Sequence, residues 1–191
     1  MSTEEKIIKI GDNYFKEILS PEVIEAKVKE IAKKVSLDYA NSDSLVLLIV
    51  TNGGLYFGIA LSMALQDIGV IHSVETISIT RCAGDEKFMK DVEVSHKSSM
   101  NLSGKNVLVV EDLIDEGFSM NFLDSYLKTT ESMKPESIEY CVLVEKRGYA
   151  KLSFSIKYSI LDNVGPEWLA GFGMDSNLGW RGLRGIYAKM N

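Results

Sequence analysis

A chain of 191 residues, 46% hydrophobic and 25% charged, suits one globular domain (1–191) with ample length for a core. A formal net charge of −6 without any basic block argues against a general nucleic-acid binder and leaves room for a local basic pocket. Two distant cysteines (Cys82 and Cys141), no zinc-ligand spacing, no signal segment and no run near the roughly 20 apolar residues of a membrane span together argue for a cytoplasmic protein.

Ile7 to Ile10 reads as a short β segment leading into the body. Ser20-Pro21-Glu22 is a helix start: a capping serine, a proline in the first turn, then an acid. Ile24, Val28, Ile31 and Val35 follow at helical spacing and mark one apolar face. Leu45 to Val50 is a near-continuous apolar run, as expected of a strand buried on both faces of a parallel sheet. It ends in Thr51-Asn52-Gly53-Gly54, and an apolar helix follows from Leu55 to Leu65. Two glycines at a strand's carboxyl end permit close contact with a ligand; a tight turn with no ligand explains them equally well.

Val74 to Ile79 reads as a third strand. Thr80 to Met100 is polar and irregular, with Gly84-Asp85-Glu86-Lys87 near its start. A stretch that long between strands is a hairpin excursion or a functional lid. His72 and His96 have no neighbouring carboxylate or partner, which favours surface or structural roles. Leu102 to Lys105 turns into the next strand and lacks the Walker A pattern.

Asn106 to Asn121 is the most informative stretch. Val107 to Val110 forms a buried strand, and Glu111, Asp112 and Asp115 follow in a loop with Gly117 and Ser119. An apolar-periodic helix then begins near Met120. Ligands bind at the carboxyl ends of strands in open α/β sheets, and a loop entering a helix offers free amides to phosphate. The neighbouring acids would repel a bare phosphate, so they fit a magnesium-bound diphosphate or a ribose diol. Ordinary capping and turn chemistry is the competing explanation of the local composition.

Pro135 breaks this helix, and Glu139 to Val144 is a fourth strand ending in Glu145-Lys146-Arg147-Gly148. Those cations either meet an acceptor-rich ligand or are solvated. Ile156 to Ile160 is a fifth strand, and Trp168 beyond Gly165-Pro166 is either core filler or a stacking surface for a planar ring. Alternating strands and helices predict an α/β fold with a mostly parallel central sheet flanked by helices. The tail, about 152–191, departs from the alternation and reads as a small hood over the sheet edge, to which the N-terminal segment can contribute.

The order hydrophobic strand, Glu-Asp, two apolar residues, Asp, any residue, Gly, any residue, Ser resembles the ribose-diphosphate loop of the type I phosphoribosyltransferases. With motifs in the same order from Leu45 to Tyr187, the chain is similar to their hypoxanthine-guanine branch. The resemblance implies the type I phosphoribosyltransferase fold and a purine-salvage reaction. In it, 5-phosphoribosyl passes from 5-phosphoribosyl 1-diphosphate (PRPP) to N9 of a 6-oxopurine, giving a purine nucleotide and pyrophosphate. It places Asn52, Gly53, Gly54 and Arg181 at pyrophosphate, and Glu111 and Asp112 at the ribose hydroxyls. Asp115 becomes the general acid/base near N7, and Glu116, Gly117, Phe118 and Ser119 hold the 5′-phosphate. Lys146 donates to the 6-oxo group, Trp168 stacks on the base, and Leu169 and Asp175 complete the purine side. The implied cofactor is Mg²⁺ on Glu111, Asp112 and Asp175, and the implied assembly is a homodimer or homotetramer.

Four positions depart from the family pattern. Glu116 stands where threonine is usual, Phe118 where a basic or small residue is commoner, Asn52 where lysine or arginine is usual, and Thr80-Arg81 where the lid has Ser-Tyr. A carboxylate at Glu116 is compatible with phosphate if only its backbone N–H faces the ligand and its charge is screened by solvent. These departures motivate an alternative, a non-catalytic regulator of the same fold that binds PRPP or a nucleotide. Retention of Asp115, Asp175 and Arg181 favours the enzyme.

Overall fold

The computed structural model describes residues 5–40, 42, 44–81, 92–146, 148, 151–176 and 179–190. Cys82, Arg147 and the segment containing Gly84 to Lys87 lie outside them. Ten strands and three α-helices form among these residues, with one short 3-10 helix at Glu131–Met133: β1 Ile7–Ile10, β2 Asn13–Leu19, α1 Pro21–Asp38, β3 Leu45–Thr51, α2 Leu55–Asp67, β4 Ser73–Arg81, β5 Val92–His96, β6 Asn106–Ile114, α3 Phe118–Thr129, β7 Ser137–Glu145, β8 Tyr158–Asp162, β9 Leu169–Ala170 and β10 Ile186–Lys189.

The main sheet has the order β5-β4-β3-β6-β7-β8, parallel except for the antiparallel edge strand β5. Its central strands are buried on both faces, which is why their sequences are continuously apolar. Side chains alternate across the pleat. Leu45, Leu47 and Ile49 pack with α1 and α2 on one face, while Val46, Leu48 and Val50 pack with α3 on the other. Ser20 caps α1, its hydroxyl accepting from the Val23 amide at 3.5 Å, and Pro21 opens the helix. The buried stripe of α1 is Ile24, Val28, Ile31, Ala32 and Val35. In α2, Phe57, Leu61 and Leu65 are fully buried, each stabilising the layer by about 1.5–3 kcal/mol.

β3 and β6 are neighbours in space although β4 and β5 separate them in sequence. The sheet order reverses there, and the carboxyl ends of this pair open a crevice. The second sheet, β1-β2-β10-β9, draws strands from both ends of the chain and has its own small cluster of Ile10, Phe15, Ala170 and Tyr187.

Several expected boundaries move. β6 runs on to Ile114, so Glu111 and Asp112 are strand residues and not loop residues. Pairing of β6 with β7 continues through Glu111↔Val142 to Ile114↔Glu145, so the ladder runs past both acids. The helix after the acidic segment begins at Phe118, two residues before Met120. β2 lies in a stretch to which no strand was assigned, and β5 forms a hairpin with β4 inside the polar stretch after Thr80. β8 pairs with β7 in the main sheet, so the tail leaves that sheet only after Asp162. His72 bonds the Ser62 hydroxyl at 2.7 Å and the Val70 carbonyl at 3.0 Å, tying α2 to the following loop, and His96 is exposed on β5.

Candidate active site

The carboxyl ends of β3, β6 and β7 and the segment around β9 enclose a cavity of about 440 Å³. At the end of β3, the Thr51 hydroxyl donates to the Ile77 carbonyl of β4 at 3.3 Å, and the chain turns through Asn52, Gly53 and Gly54 into α2. The Thr51–Asn52 peptide is cis. A side chain at Gly53 would overlap the Asp112 carboxylate, so this turn rests directly on the acidic pair.

Glu111 and Asp112 sit half-buried at the end of β6, and the Asp112 amide donates to Glu111 Oε1 at 2.9 Å. Burial raises both carboxyls above their ordinary range, and for Glu111 the neighbouring Asp112 charge adds to it. Arg181 opposes the rise in both. The pair is thus held at an electrostatic cost that a cation would relieve.

Beyond Ile114 the chain turns through Asp115, Glu116 and Gly117 into α3. Gly117, Ser119 and Met120 line the cavity, so the N-terminal end of α3, the end of a helix dipole that favours anions, lies beside it. The neighbour that a side chain at Gly117 would strike is Leu152. The glycine therefore makes room for the tail. The Lys146 amide donates to the Ile114 carbonyl at 3.0 Å, extending the β6–β7 register by one residue. This brings the Lys146 ammonium within 3.2 Å of Asp115 Oδ2. Lys146 is buried, while the Asp115 side chain is 51% exposed toward the opening.

On the opposite wall, the Trp168 ring is largely exposed and its Nε1 donates to the Asp175 carbonyl at 3.3 Å. Arg181 donates to the Gly173 carbonyl at 2.5 Å and to Asp175 Oδ1 at 2.8 Å. Asn52, Gly53, Glu111, Asp112, Asp115, Glu116, Gly117, Ser119, Lys146, Trp168, Leu169, Asp175 and Arg181 all line the one cavity. Gly54 is buried behind the turn and Phe118 is turned to solvent, so neither lines it. Ile79, Met120 and Met174 add an apolar wall that sequence reading missed. Ile79 alone carried a signal, its place near the end of a parallel strand. Five carboxylates face Lys146 and Arg181 among the described lining residues, so an anionic ligand needs an added cation here.

The profile of the phosphoribosyl transferase domain matches residues 15–177. A hypoxanthine-guanine phosphoribosyltransferase of Aquifex aeolicus is 27% identical over 173 residues, 89% of this chain and 92% of that protein. The hypoxanthine phosphoribosyltransferase of Escherichia coli K12 is 26% identical over 162 residues, 83% and 86% of the two. Among solved structures, a hypoxanthine-guanine phosphoribosyltransferase from Bacillus anthracis superposes with a TM-score of 0.78 at 26% identity, covering 91% of this chain and 96% of that one. A Trypanosoma cruzi hypoxanthine phosphoribosyltransferase variant, solved as a ternary substrates complex, superposes with a TM-score of 0.81 at 26% identity, covering 91% and 94%.

Proposed function

The chain belongs to the phosphoribosyl transferase domain family, and from that premise we propose that it is a purine-salvage enzyme moving 5-phosphoribosyl from PRPP to N9 of hypoxanthine or guanine. The observation that carries this reading is the buried Lys146 ammonium, 3.2 Å from Asp115, opening on the same cavity as Trp168 and the Glu111–Asp112 pair. A planar base stacked on Trp168 would meet Lys146 at its 6-oxo group and Asp115 at N7. Until it arrives, Lys146 and Asp115 satisfy each other, so little buried charge is left unpaired.

Glu111 and Asp112 orient the ribose hydroxyls. The amides at the start of α3 and the Ser119 hydroxyl seat the 5′-phosphate. Glu116 is exposed, where solvent screens its charge, and the Phe118 ring points away, so the loop offers their amides and not their side chains. Asn52, Gly53 and Arg181 face the pyrophosphate. As the ribosyl–pyrophosphate bond opens, oxocarbenium character develops on the sugar, and the half-buried acids favour that positive charge. Asp115 holds the N7 proton and manages its transfer.

The donor set suits magnesium. Glu111, Asp112 and Asp175 offer oxygen ligands, while the described residues hold no compact group of three His, Cys, Asp or Glu. Magnesium commonly takes one or two protein carboxylates and completes its shell with substrate phosphates and water. When bound, it supplies the charge that neutralises the diphosphate oxygens. No helix among the described residues is long and apolar enough to cross a membrane.

A spectrophotometric assay with PRPP and Mg²⁺ tests this directly, offering hypoxanthine, guanine, xanthine and adenine in turn. Turnover of the oxopurines and not adenine is the expected result. Binding of PRPP or a nucleotide without turnover of any base would replace the enzyme by a regulator of the same fold.

A further inference from the structure

Three consecutive residues of the hood, Gly171, Phe172 and Gly173, have positive φ values of 102°, 45° and 109°. Reciprocal backbone bonds close the turn: Gly171 N to Met174 O at 3.0 Å and Met174 N to Gly171 O at 3.1 Å. Phe172 N to Leu183 O at 2.8 Å and Gly173 N to Arg181 O at 3.0 Å pin it from outside. The Arg181 guanidinium, donating to the Gly173 carbonyl at 2.5 Å, adds a fifth bond. This is a stiff piece of backbone.

What it rests on is the Asn52–Gly54 turn. A side chain at Gly173 would overlap the Gly53 carbonyl oxygen, just as one at Gly53 would overlap the Asp112 carboxylate. Three segments therefore stack: the hood turn lies backbone to backbone on the β3 turn, and the β3 turn lies on the Asp112 side chain at the end of β6. We propose that Gly173 is a positioning residue that seats the pyrophosphate turn. Its bare backbone sets where the Gly53 carbonyl lies and couples the base wall of the cavity to the pyrophosphate wall. The proposal rests on the functional reading above.

The contact predicts which side yields. A methyl at 173 meets a hood turn held by five hydrogen bonds and a β3 turn held by fewer, among them Gly54 N to Val50 O at 2.9 Å. The β3 turn gives way, and the pyrophosphate site is the one that loses shape.

The test is calorimetry on Gly173→Ala with two probes, magnesium pyrophosphate and inosine 5′-monophosphate. Pyrophosphate affinity should fall by about fivefold or more, with a matching rise in KM for PRPP. The nucleotide, which carries no pyrophosphate, should bind within about twofold of wild type on this reading. Gly104→Ala is the control for strain alone, since Gly104 also has positive φ (72°) but open space around its Cβ position; it should leave both affinities unchanged. Equal loss of both probes in Gly173→Ala, or loss of neither, overturns the proposal and leaves the functional reading intact. Binding of neither probe by wild type overturns both. If Gly173→Ala does not fold, wild type carries the test, because pyrophosphate and hypoxanthine cannot react without a ribosyl donor. Saturating hypoxanthine should tighten pyrophosphate binding several-fold, and identical affinities with and without the base overturn the coupling.

Discussion

Asp115 and Lys146 show how one residue pair serves two states. The ammonium is buried and needs a counter-charge; the carboxylate is half in solvent and can leave it for a base. Asp115→Asn keeps the shape and removes the proton acceptor. We expect kcat to fall about 10²–10⁴-fold with nucleotide affinity much less changed, as read by steady-state kinetics beside calorimetry. An unchanged kcat would remove the general acid/base role. Glu111 makes the opposite trade. Its carboxyl is raised, first by burial and then by Asp112, so the native chain holds a proton that the unfolded chain has released. Stability of the ligand-free protein therefore falls as pH rises from about 4.3 through the raised value. Glu111→Gln removes that loss. At neutral pH it should stabilise the ligand-free protein by on the order of 1 kcal/mol in urea unfolding and flatten the pH dependence, while weakening magnesium–PRPP binding. Lower stability in the variant would contradict this account of the acidic pair.

At the scale of elements, α1 is tied to the edge strand β8 by polar contacts at Asp38, from Tyr158 and from Lys157 just before the strand, set beside apolar packing. The Tyr158 hydroxyl donates to Asp38 Oδ2 at 2.5 Å, and that bond holds the Asp38 carboxyl below its ordinary range. A depressed carboxyl contributes stability above its unfolded value, near 3.9, and loses it as pH falls through the folded value. Tyr158→Phe should therefore lose less stability than wild type between about pH 4 and pH 2, by under about 1 kcal/mol because Asp38 is 42% exposed. Equal slopes for the two proteins would show that the bond carries no linkage. Elements with long apolar runs, β3 and β6, were legible from sequence because burial on both faces leaves little choice of residue. β2 was not, because Asn13, Tyr14, Lys16 and Glu17 face a small sheet and leave only Phe15 and Leu19 buried. β5 was foreseen only as one of two alternatives, a hairpin excursion or a lid, because an exposed edge strand carries little apolar pattern.

For the whole molecule, the alternation of strands and helices around a mostly parallel sheet was readable. Individual motifs were ambiguous alone: Asn52 to Gly54, Glu111 to Ser119, Lys146 and Trp168 each had an ordinary structural explanation. Their convergence on one cavity was not deducible from spacing, since it depends on the reversal of sheet order between β3 and β6. The apolar wall of Met120 and Met174 was equally out of reach, because methionines in helices and turns carry no positional signal.

The second sheet also gives the site a history. β9, just after Trp168, pairs within its sheet only with β10, and β10 in turn joins it to β2 from the start of the chain. A growing chain that has emerged as far as Trp180 has already made every strand of the main sheet and the turns assigned to ribose and pyrophosphate. It still lacks the strand that docks the base wall. The turns of β3 and β6 can thus be made during synthesis before the hood that carries Trp168 and Arg181 is docked against them. A chain released early would hold half a site and could not perform the transfer.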